Sequence, residues 1–250
     1  NKHRYVLPYA FWASMGFKAK RVHTVHNVAQ KEQKKKKKNI NRVLFRYFNV
    51  VPVALSKEIQ RTIQEVYGLP DNRIPVVFNG IDLSRCIVKE SYARKDTFTV
   101  LHIGRFMDVK NHELLLRSFA RFKGQHSDAS LQLLGDGELK ENMMQLAGQL
   151  NITDAVEFAG LQSNVYPWLH NADVFILPSK FEGMPMTLIE AMGTGLPIIA
   201  SDVGGIPDML TDQKDALLIA PKEENILVAL ESIYSDEEKR KRLGRNAWDK

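Results

Sequence analysis

The chain has 250 residues, which suffices for one large domain or two small ones. Its 44% hydrophobic and 26% charged residues are typical of globular proteins and exclude disorder over most of the chain. The single cysteine, Cys86, excludes an intramolecular disulfide and a cysteine-rich zinc cluster, and no apolar run reaches the roughly 18–20 residues of a membrane-spanning helix. Because the chain begins with Asn1 and lacks a signal-peptide pattern, we expect part of a longer protein.

The net charge of +6 is concentrated at one end of the chain. Residues 1–50 contain 13 Lys or Arg and one Asp or Glu, whereas the remainder is net negative. The basic run Lys34–Lys38 is typical of a solvated loop, and the alternative is contact with an anionic membrane surface. Nucleic acid is not expected as a partner, because no aromatic residues alternate with the lysines and no nucleic-acid-binding motif surrounds them.

Residues 1–84 are predicted to form a partial α/β unit with about three strands, at 21–25, 52–55 and 76–78. A helix is predicted to begin at Ser56. Ile40, Val43, Leu44 and Tyr47 recur at helical spacing, so an amphipathic helix is predicted from about Asn39. Two interpretations of that helix stay open: its apolar face packs inside the unit behind a loop of lysines, or it lies on an anionic membrane. Residues 85–96 are polar and irregular, which is typical of a linker.

From residue 97 onward, buried strands alternate with helices. Strands are predicted at 97–103, 131–134, 156–158, 173–177, 198–201 and 216–219. Helices are predicted at 112–122, 138–150 and 185–192, and two more end the chain. Alternation of this kind indicates βαβ units and a parallel sheet with both faces covered. Ligands of such sheets bind beyond the carboxyl ends of the strands, where this sequence places glycines and charged residues.

The most informative segment runs from 179 to 193, directly after a predicted strand. Glu182 lies on a loop, and Gly183 permits close approach of a ligand to the backbone. The helix that starts at Pro185 presents free backbone N–H groups, which favour a phosphate. Glu190 follows on that helix, and a carboxylate there can bind ribose hydroxyls. Two carboxylates around a phosphate-binding helix start indicate a nucleotide that carries a sugar.

This segment resembles the Glu-x7-Glu signature of retaining glycosyltransferases of family 4, which have the GT-B fold. Six other segments resemble motifs of that family in the same order along the chain. They are Val22–Asn27, Asn79–Asp82, Gly104-Arg105 with Lys110, Gly135–Gly137, Phe158–Gly160 and Ser201–Asp208. The resemblance covers nearly the whole chain, and Asp208 stands where the family usually has Glu.

The resemblance implies an α/β fold of GT-B type, with a complete Rossmann-like donor-binding domain and a partial Rossmann-like N-terminal domain. It implies an N-terminal, acceptor-side domain at 1–84, a nucleotide-sugar-binding domain at 97–234 and a C-terminal helix at 235–250. His26 and Glu182 are the implied catalytic residues, and no metal ligand is implied. The implied donor-binding residues are Arg105, Lys110, Gly135, Gly160, Gly183, Met184, Pro185, Thr187 and Glu190.

The implied reaction moves a sugar, with retention, from a nucleotide-diphosphate sugar to a glycan or lipid-linked acceptor. A UDP-sugar is favoured, no cofactor is implied, and polysaccharide synthesis at the cytoplasmic face of the membrane is the expected setting. Since segments before residue 1 and after residue 250 carry parts of the family's first domain, we expect the whole protein to be active rather than this segment alone. The alternatives are a sugar-nucleotide-binding module, a related GT-B epimerase, and a protein that binds polyanions through residues 31–46.

Overall fold

The computed structural model describes residues 6–26 and 35–250, without the side chains of Val6 and Lys35–Lys37. Contacts divide the chain into a first unit, Asn1–Asn79 with Glu182–Met184, and a second unit, Gly80–Phe181 with Pro185–Lys250. The domain boundaries expected from the sequence stay a prediction. Over the described residues, no helix is both long and apolar enough to span a bilayer.

The first unit contains two parallel strands, β1 (Arg21–Val25) and β2 (Val50–Ala54). The expected third strand at 76–78 is wrong, because Val76 forms only an isolated bridge with Ala54. A longer ladder cannot form, since Ser56 already caps the next helix by accepting a hydrogen bond from the Ile59 N–H at 3.1 Å.

The helices of the first unit include α1 (Val6–Ala13), α2 (Lys35–Tyr47) and α3 (Lys57–Tyr67). Of these, α1 was not predicted. Helix α2 begins four residues earlier than expected, so Lys35–Lys38 are helical and the interpretation of these lysines as a loop is wrong. Lys34 lies outside the described residues. The buried side of α2 carries Asn41, Leu44 and Phe45.

The apolar stripe predicted for α2 is therefore only partly packed. Leu44 is buried, whereas Ile40 and Val43 are each 44% exposed and Tyr47 is 75% exposed. The interpretation in which all four residues pack inside the unit is wrong. The neighbour Phe45, which the stripe omitted, supplies the main core contact by packing edge-on against Tyr67 at 5.0 Å.

The second unit contains a six-stranded parallel sheet, as the alternating pattern predicts. The strands are β3 (Phe98–Ile103), β4 (Ala129–Leu134), β5 (Val156–Gly160), β6 (Val174–Leu177), β7 (Ile198–Ser201) and β8 (Leu217–Ile219). Their spatial order is β5-β4-β3-β6-β7-β8. The four residues of β6 and the four of β7 are all buried, which explains their unbroken apolar sequence.

Helices cover this sheet and complete the second unit. They are α4 (His112–Gln125), α5 (Lys140–Gln149), α6 (Tyr166–Asn171), α7 (Met186–Gly193), α8 (Ile206–Met209), α9 (Glu223–Ser235) and α10 (Glu237–Trp248). The strand order reverses between the neighbours β3 and β6. That is where open α/β sheets form ligand crevices.

Residues 86–97 form neither helix nor strand, but they are anchored to the second unit. Lys89 is buried and its Nζ donates to the Ala172 carbonyl at 2.6 Å. The Tyr92 hydroxyl donates to the Gly195 carbonyl at 2.8 Å, and the buried Arg240 guanidinium donates to the Tyr92 carbonyl at 3.0 Å. The irregular segment is thus held by side-chain to backbone bonds rather than by a ladder.

Candidate functional site

Glycines lie at the carboxyl ends of three adjacent strands of the large sheet: Gly104 follows β3, Gly135 follows β4 and Gly160 ends β5. The Gly104 N–H donates to the Leu134 carbonyl at 2.9 Å, and the Gly135 N–H donates to the Gly160 carbonyl at 2.8 Å. Gly135 has a φ of +135°, and a Cβ there would lie 2.1 Å from the Gly104 oxygen. Only glycine therefore permits this interlocking of the turns after β3, β4 and β5.

A cavity of about 470 Å³ lies over these turns, within the second unit. Its lining comprises Ile103, Gly104, Arg105, Leu134, Gly135, Asp136, Gly137, Leu161, Gln162 and Val165. The volume lies in the range of small-molecule sites, and the walls combine backbone groups, apolar surface, the cation of Arg105 and the carboxylate of Asp136. Of the predicted donor-binding residues, Arg105 and Gly135 line it directly and Gly160 supports its floor.

The loop from Gly104 to Asn111 is fastened to the turn after β6. The Lys180 N–H donates to the Val109 carbonyl at 2.8 Å, and the Asn111 side-chain amide donates to the Pro178 carbonyl at 3.2 Å. Lys110 is half-buried, and a Cβ on Gly104 would lie 3.4 Å from its Cδ. Arg105 is exposed. The predicted cations Arg105 and Lys110 thus share one fixed loop at the cavity.

Helix α7 begins directly after Pro185, which is buried and extended, one residue later than predicted. Its first N–H groups have no acceptor within the helix, so this end favours an anion. The Thr187 Oγ1 is buried here without a hydrogen-bond partner among the described residues. A buried hydroxyl without a partner is unfavourable, and a ligand oxygen could satisfy it.

Glu190 lies on α7, half-buried, and burial raises the pKa of its carboxyl group, an effect that the nearby Arg85 opposes. The Arg85 guanidinium lies over the ring of the buried Tyr166, 5.0 Å from its centroid, and the Tyr166 hydroxyl contacts the Cys86 thiol. Sequence reasoning missed Arg85 and Tyr166. Their only signals were their positions after the Asn79-Gly80 turn and at the start of α6.

Four predicted residues belong to the first unit by their contacts: His26, Glu182, Gly183 and Met184. A Cβ on Gly183 would lie 2.8 Å from the His26 carbonyl oxygen, so the backbone at Gly183 lies against the residue that directly follows β1. The Asn79 N–H donates to the Met184 sulfur at 3.0 Å. Glu182 is half-buried and His26 is exposed.

His102, interpreted from the sequence as structural, is fully buried in β3 and lies beneath Gly104. Among residues 6–26 and 35–250, no cluster of three or more His, Cys, Asp or Glu side chains is arranged to hold a metal ion.

The model of the family described as "Glycosyl transferases group 1" matches residues 86–250, and that of "Glycosyltransferase Family 4" matches residues 2–85. The chain is 31% identical over 179 residues to a Campylobacter jejuni enzyme, covering 70% of this chain and 48% of that protein. That enzyme is named N-acetylgalactosamine-N,N'-diacetylbacillosaminyl-diphospho-undecaprenol 4-alpha-N-acetylgalactosaminyltransferase. The present chain is also 30% identical over 223 residues to the N-acetyl-alpha-D-glucosaminyl L-malate synthase of Bacillus anthracis, covering 82% of this chain and 57% of that protein.

Among solved structures, Anabaena Alr3699/HepE in complex with UDP-glucose superposes with a TM-score of 0.86 at 19% identity. The match covers 98% of this chain and 71% of that one. The chain spans about half the length of the curated relatives it matches. The fold and its matches define an α/β protein of GT-B type, as predicted. The chain belongs to the group 1 glycosyltransferase family, whose model covers well over half of it.

Proposed function

We propose that the protein transfers a sugar from a nucleotide-diphosphate sugar, in the first instance a UDP-sugar, to a glycan or lipid-linked acceptor with retention. The observation that carries the proposal is the cavity beyond β3, β4 and β5, with Arg105 at its wall and Lys110 on the same loop. Family membership supports transfer chemistry, and the Campylobacter jejuni relative is an N-acetylgalactosaminyltransferase by name.

In the proposed reaction the two cations neutralise the diphosphate, and the N-terminus of α7 with the Thr187 hydroxyl donates hydrogen bonds to its oxygens. Negative charge on the diphosphate grows as its bond to the sugar breaks, so positioned donors stabilise the leaving group. Arg105 offers a planar fork for two oxygens and Lys110 a point charge, which is the role we propose instead of a bound metal. Glu190 binds the ribose hydroxyls, and Tyr166 and Arg85 hold its carboxylate in place.

We further propose that His26 and Glu182 act on the sugar part of the donor, while Gly183, Met184 and Pro185 shape the loop that carries Glu182. The close approach of Gly183 to the His26 carbonyl supports a shared role for these two segments. A binding module or an epimerase is the alternative class, and sugar transfer to an added acceptor by the whole protein distinguishes the proposal from both.

Calorimetry with UDP tests the donor site directly. Arg105→Ala removes a charged hydrogen-bond donor, so we expect UDP affinity to fall by about 1.5–3 kcal/mol. Arg117→Ala is the matched control, because Arg117 is an exposed arginine on α4 paired with Glu113 at 2.9 Å and is not part of the cavity lining. Unchanged UDP affinity in Arg105→Ala would contradict the phosphate role.

Glu190→Gln should weaken binding of UDP itself, whereas Glu182→Gln should weaken only binding of the sugar part.

We also propose that the first unit contacts an anionic membrane at its cytoplasmic face, as suits a lipid-linked acceptor in polysaccharide synthesis. In residues 6–26 and 35–50 there are nine Lys or Arg and no Asp or Glu. The same segments expose Tyr9, Trp12 and Tyr47 by 75%, 68% and 75%. Basic charge beside exposed aromatic residues is typical of an interfacial surface.

Co-sedimentation with vesicles tests this surface. Anionic vesicles should bind the chain at low salt, and replacing Lys34–Lys38 by Ser should abolish the preference over neutral vesicles. Trp12→Ser with Tyr47→Ser should weaken binding, whereas Val228→Ser, an equally exposed apolar residue of the second unit, should leave it unchanged. Equal binding to neutral and anionic vesicles would contradict the proposal.

A further inference from the structure

Two buried histidines beneath the cavity have nitrogen atoms without hydrogen-bond partners. His102 is fully buried and its Nε2 has no partner in the described chain, and His112, 3% exposed, has none for either ring nitrogen. Each such atom opposes folding, because it has lost water without gaining a protein partner. Three of them in one place indicate a requirement other than stability.

The orientation of the His102 ring is fixed by β6. Its Nδ1 lies 2.8 Å from the Ile176 carbonyl oxygen, and since that oxygen can only accept, Nδ1 carries the hydrogen. The Nε2 therefore carries a lone pair. A Cβ on Gly104 would lie 2.8 Å from this Nε2 and 3.4 Å from Lys110 Cδ. The lone pair of His102 and the side chain of Lys110 thus approach the same glycine of the cavity wall.

His112 connects His102 to the turn after β4. Its ring stacks on Phe106 at 4.1 Å and meets the His102 ring edge-on at 4.7 Å. The Phe106 N–H in turn donates to the Asp136 carbonyl at 3.0 Å, and a Cβ on Gly137 would lie 2.4 Å from the Phe106 oxygen. The stack therefore fixes the backbone on two sides of the cavity.

Both rings are held neutral. Burial, and to a smaller extent the Lys110 ammonium, lower the pKa of His112 to about 4. Burial, followed by His112, lowers the pKa of His102 well below its usual value. A charged imidazole here would repel the Lys110 ammonium, and a neutral imidazole avoids that repulsion.

We propose that His102 and His112 form a pair of positioning residues that holds Gly104 and Lys110 for the diphosphate of the donor. The inference rests on the proposed donor site and adds to it two residues that do not line the cavity. It predicts that altering the pair weakens binding of the phosphates and leaves binding of the nucleoside unaffected.

The test compares UDP with uridine, which lacks both phosphates, on the 250-residue chain. His112→Phe keeps a flat ring against Phe106 and removes both nitrogens. We expect UDP affinity to fall about tenfold while uridine binding is unchanged, as for a coupling of about 1.4 kcal/mol. We also expect the Tm to rise by about 2–4 °C, because two unsatisfied buried atoms are gone. Loss of affinity together with a gain in stability is not expected of a purely structural residue.

His102→Asn is the second variant, since its amide can still donate to Ile176 but offers no Nε2. His126→Asn is the matched control: His126 follows the other end of α4, packs on Tyr234 at 3.9 Å and bonds Glu231 at 2.7 Å. The control should lose stability and keep UDP affinity. In a Lys110→Ala background, the effect of His102→Asn on UDP should disappear if the pair acts through Lys110.

The outcomes separate the two proposals. A wild-type chain that fails to bind UDP overturns the donor site and the positioning role together. UDP binding that both His102→Asn and His112→Phe leave unchanged overturns the positioning role alone. A loss of UDP affinity equal to that of uridine, or one that persists in the Lys110→Ala background, also overturns it.

Discussion

The two units differ in how completely they bury their apolar residues. In the second, the sheet strands and their covering helices form one large core that includes Phe98, Phe106 and Phe119, all fully buried. The first has a smaller core around Phe45 and Tyr67, and its segments 6–17 and 35–48 leave many large apolar residues exposed. The spacing of apolar residues along a helix therefore predicts the core reliably only where the sheet is wide enough to pack against every covering helix.

The largest expected effect concerns the turns of the second unit. It tests whether they are packed as rigidly as the sheet that they follow. Gly135→Ala would place a methyl group against the Gly104 oxygen and force a side chain into a φ of +135°. We expect the free energy of unfolding to fall by at least about 4 kcal/mol, because both turns must shift. Denaturant titration followed by tryptophan fluorescence measures it.

Gly148→Ala is the control, because nothing lies within 4 Å of a Cβ at this position of α5. Alanine there should stabilise the chain by about 0.5–1 kcal/mol, the ordinary helical preference. If the two variants proved equally stable, the turns after β3 and β4 would be loosely joined, and the cavity would not be preformed.

The dependence of stability on pH tests the buried imidazoles of the second unit. The unfolded chain binds a proton at His112 near pH 6.5, whereas the folded chain does so only near pH 4. Between these values the unfolded state holds more protons, so stability falls as the pH is lowered, by about 3 kcal/mol for this group. His112→Phe should make the decline measured by denaturant titration at each pH shallower without abolishing it, because the pKa of the buried His102 is also lowered. A decline of the same slope in His112→Phe would assign it to other groups.

The sequence predicts the large sheet well because its strands are mostly apolar runs, and β3, β4, β5 and β6 each end at or directly before a glycine or proline. Short elements were less predictable. Helix α6 has only six residues and α1 is apolar on all sides, so neither shows helical periodicity. The strand expected at 76–78 failed because β-propensity does not reveal that its neighbour turns into α3 after Ala54.

The site was predictable where it depends on sequence-local motifs. Arg105, Gly135 and Gly160 were expected from their positions after strands and Lys110 from the family resemblance, and the structure places the four around the same turns. The supporting residues His102 and His112 could not be predicted as a pair. One lies in β3 and the other in α4, and only the packing of these two elements brings their rings together. Arg85 and Tyr166 likewise approach Glu190 from distant parts of the chain.

The smallest expected effect concerns two neighbouring residues of α2 in the first unit. Leu44 is 5% exposed and Val43 is 44% exposed. Leu44→Ala leaves a cavity in the core around Phe45, so we expect a loss of about 2–3 kcal/mol in the free energy of unfolding. Val43→Ala should cost less than about 0.5 kcal/mol, as for other surface substitutions. A large loss from Val43→Ala, dependent on protein concentration, would show that this face is covered by a second molecule in solution and is not available to a membrane.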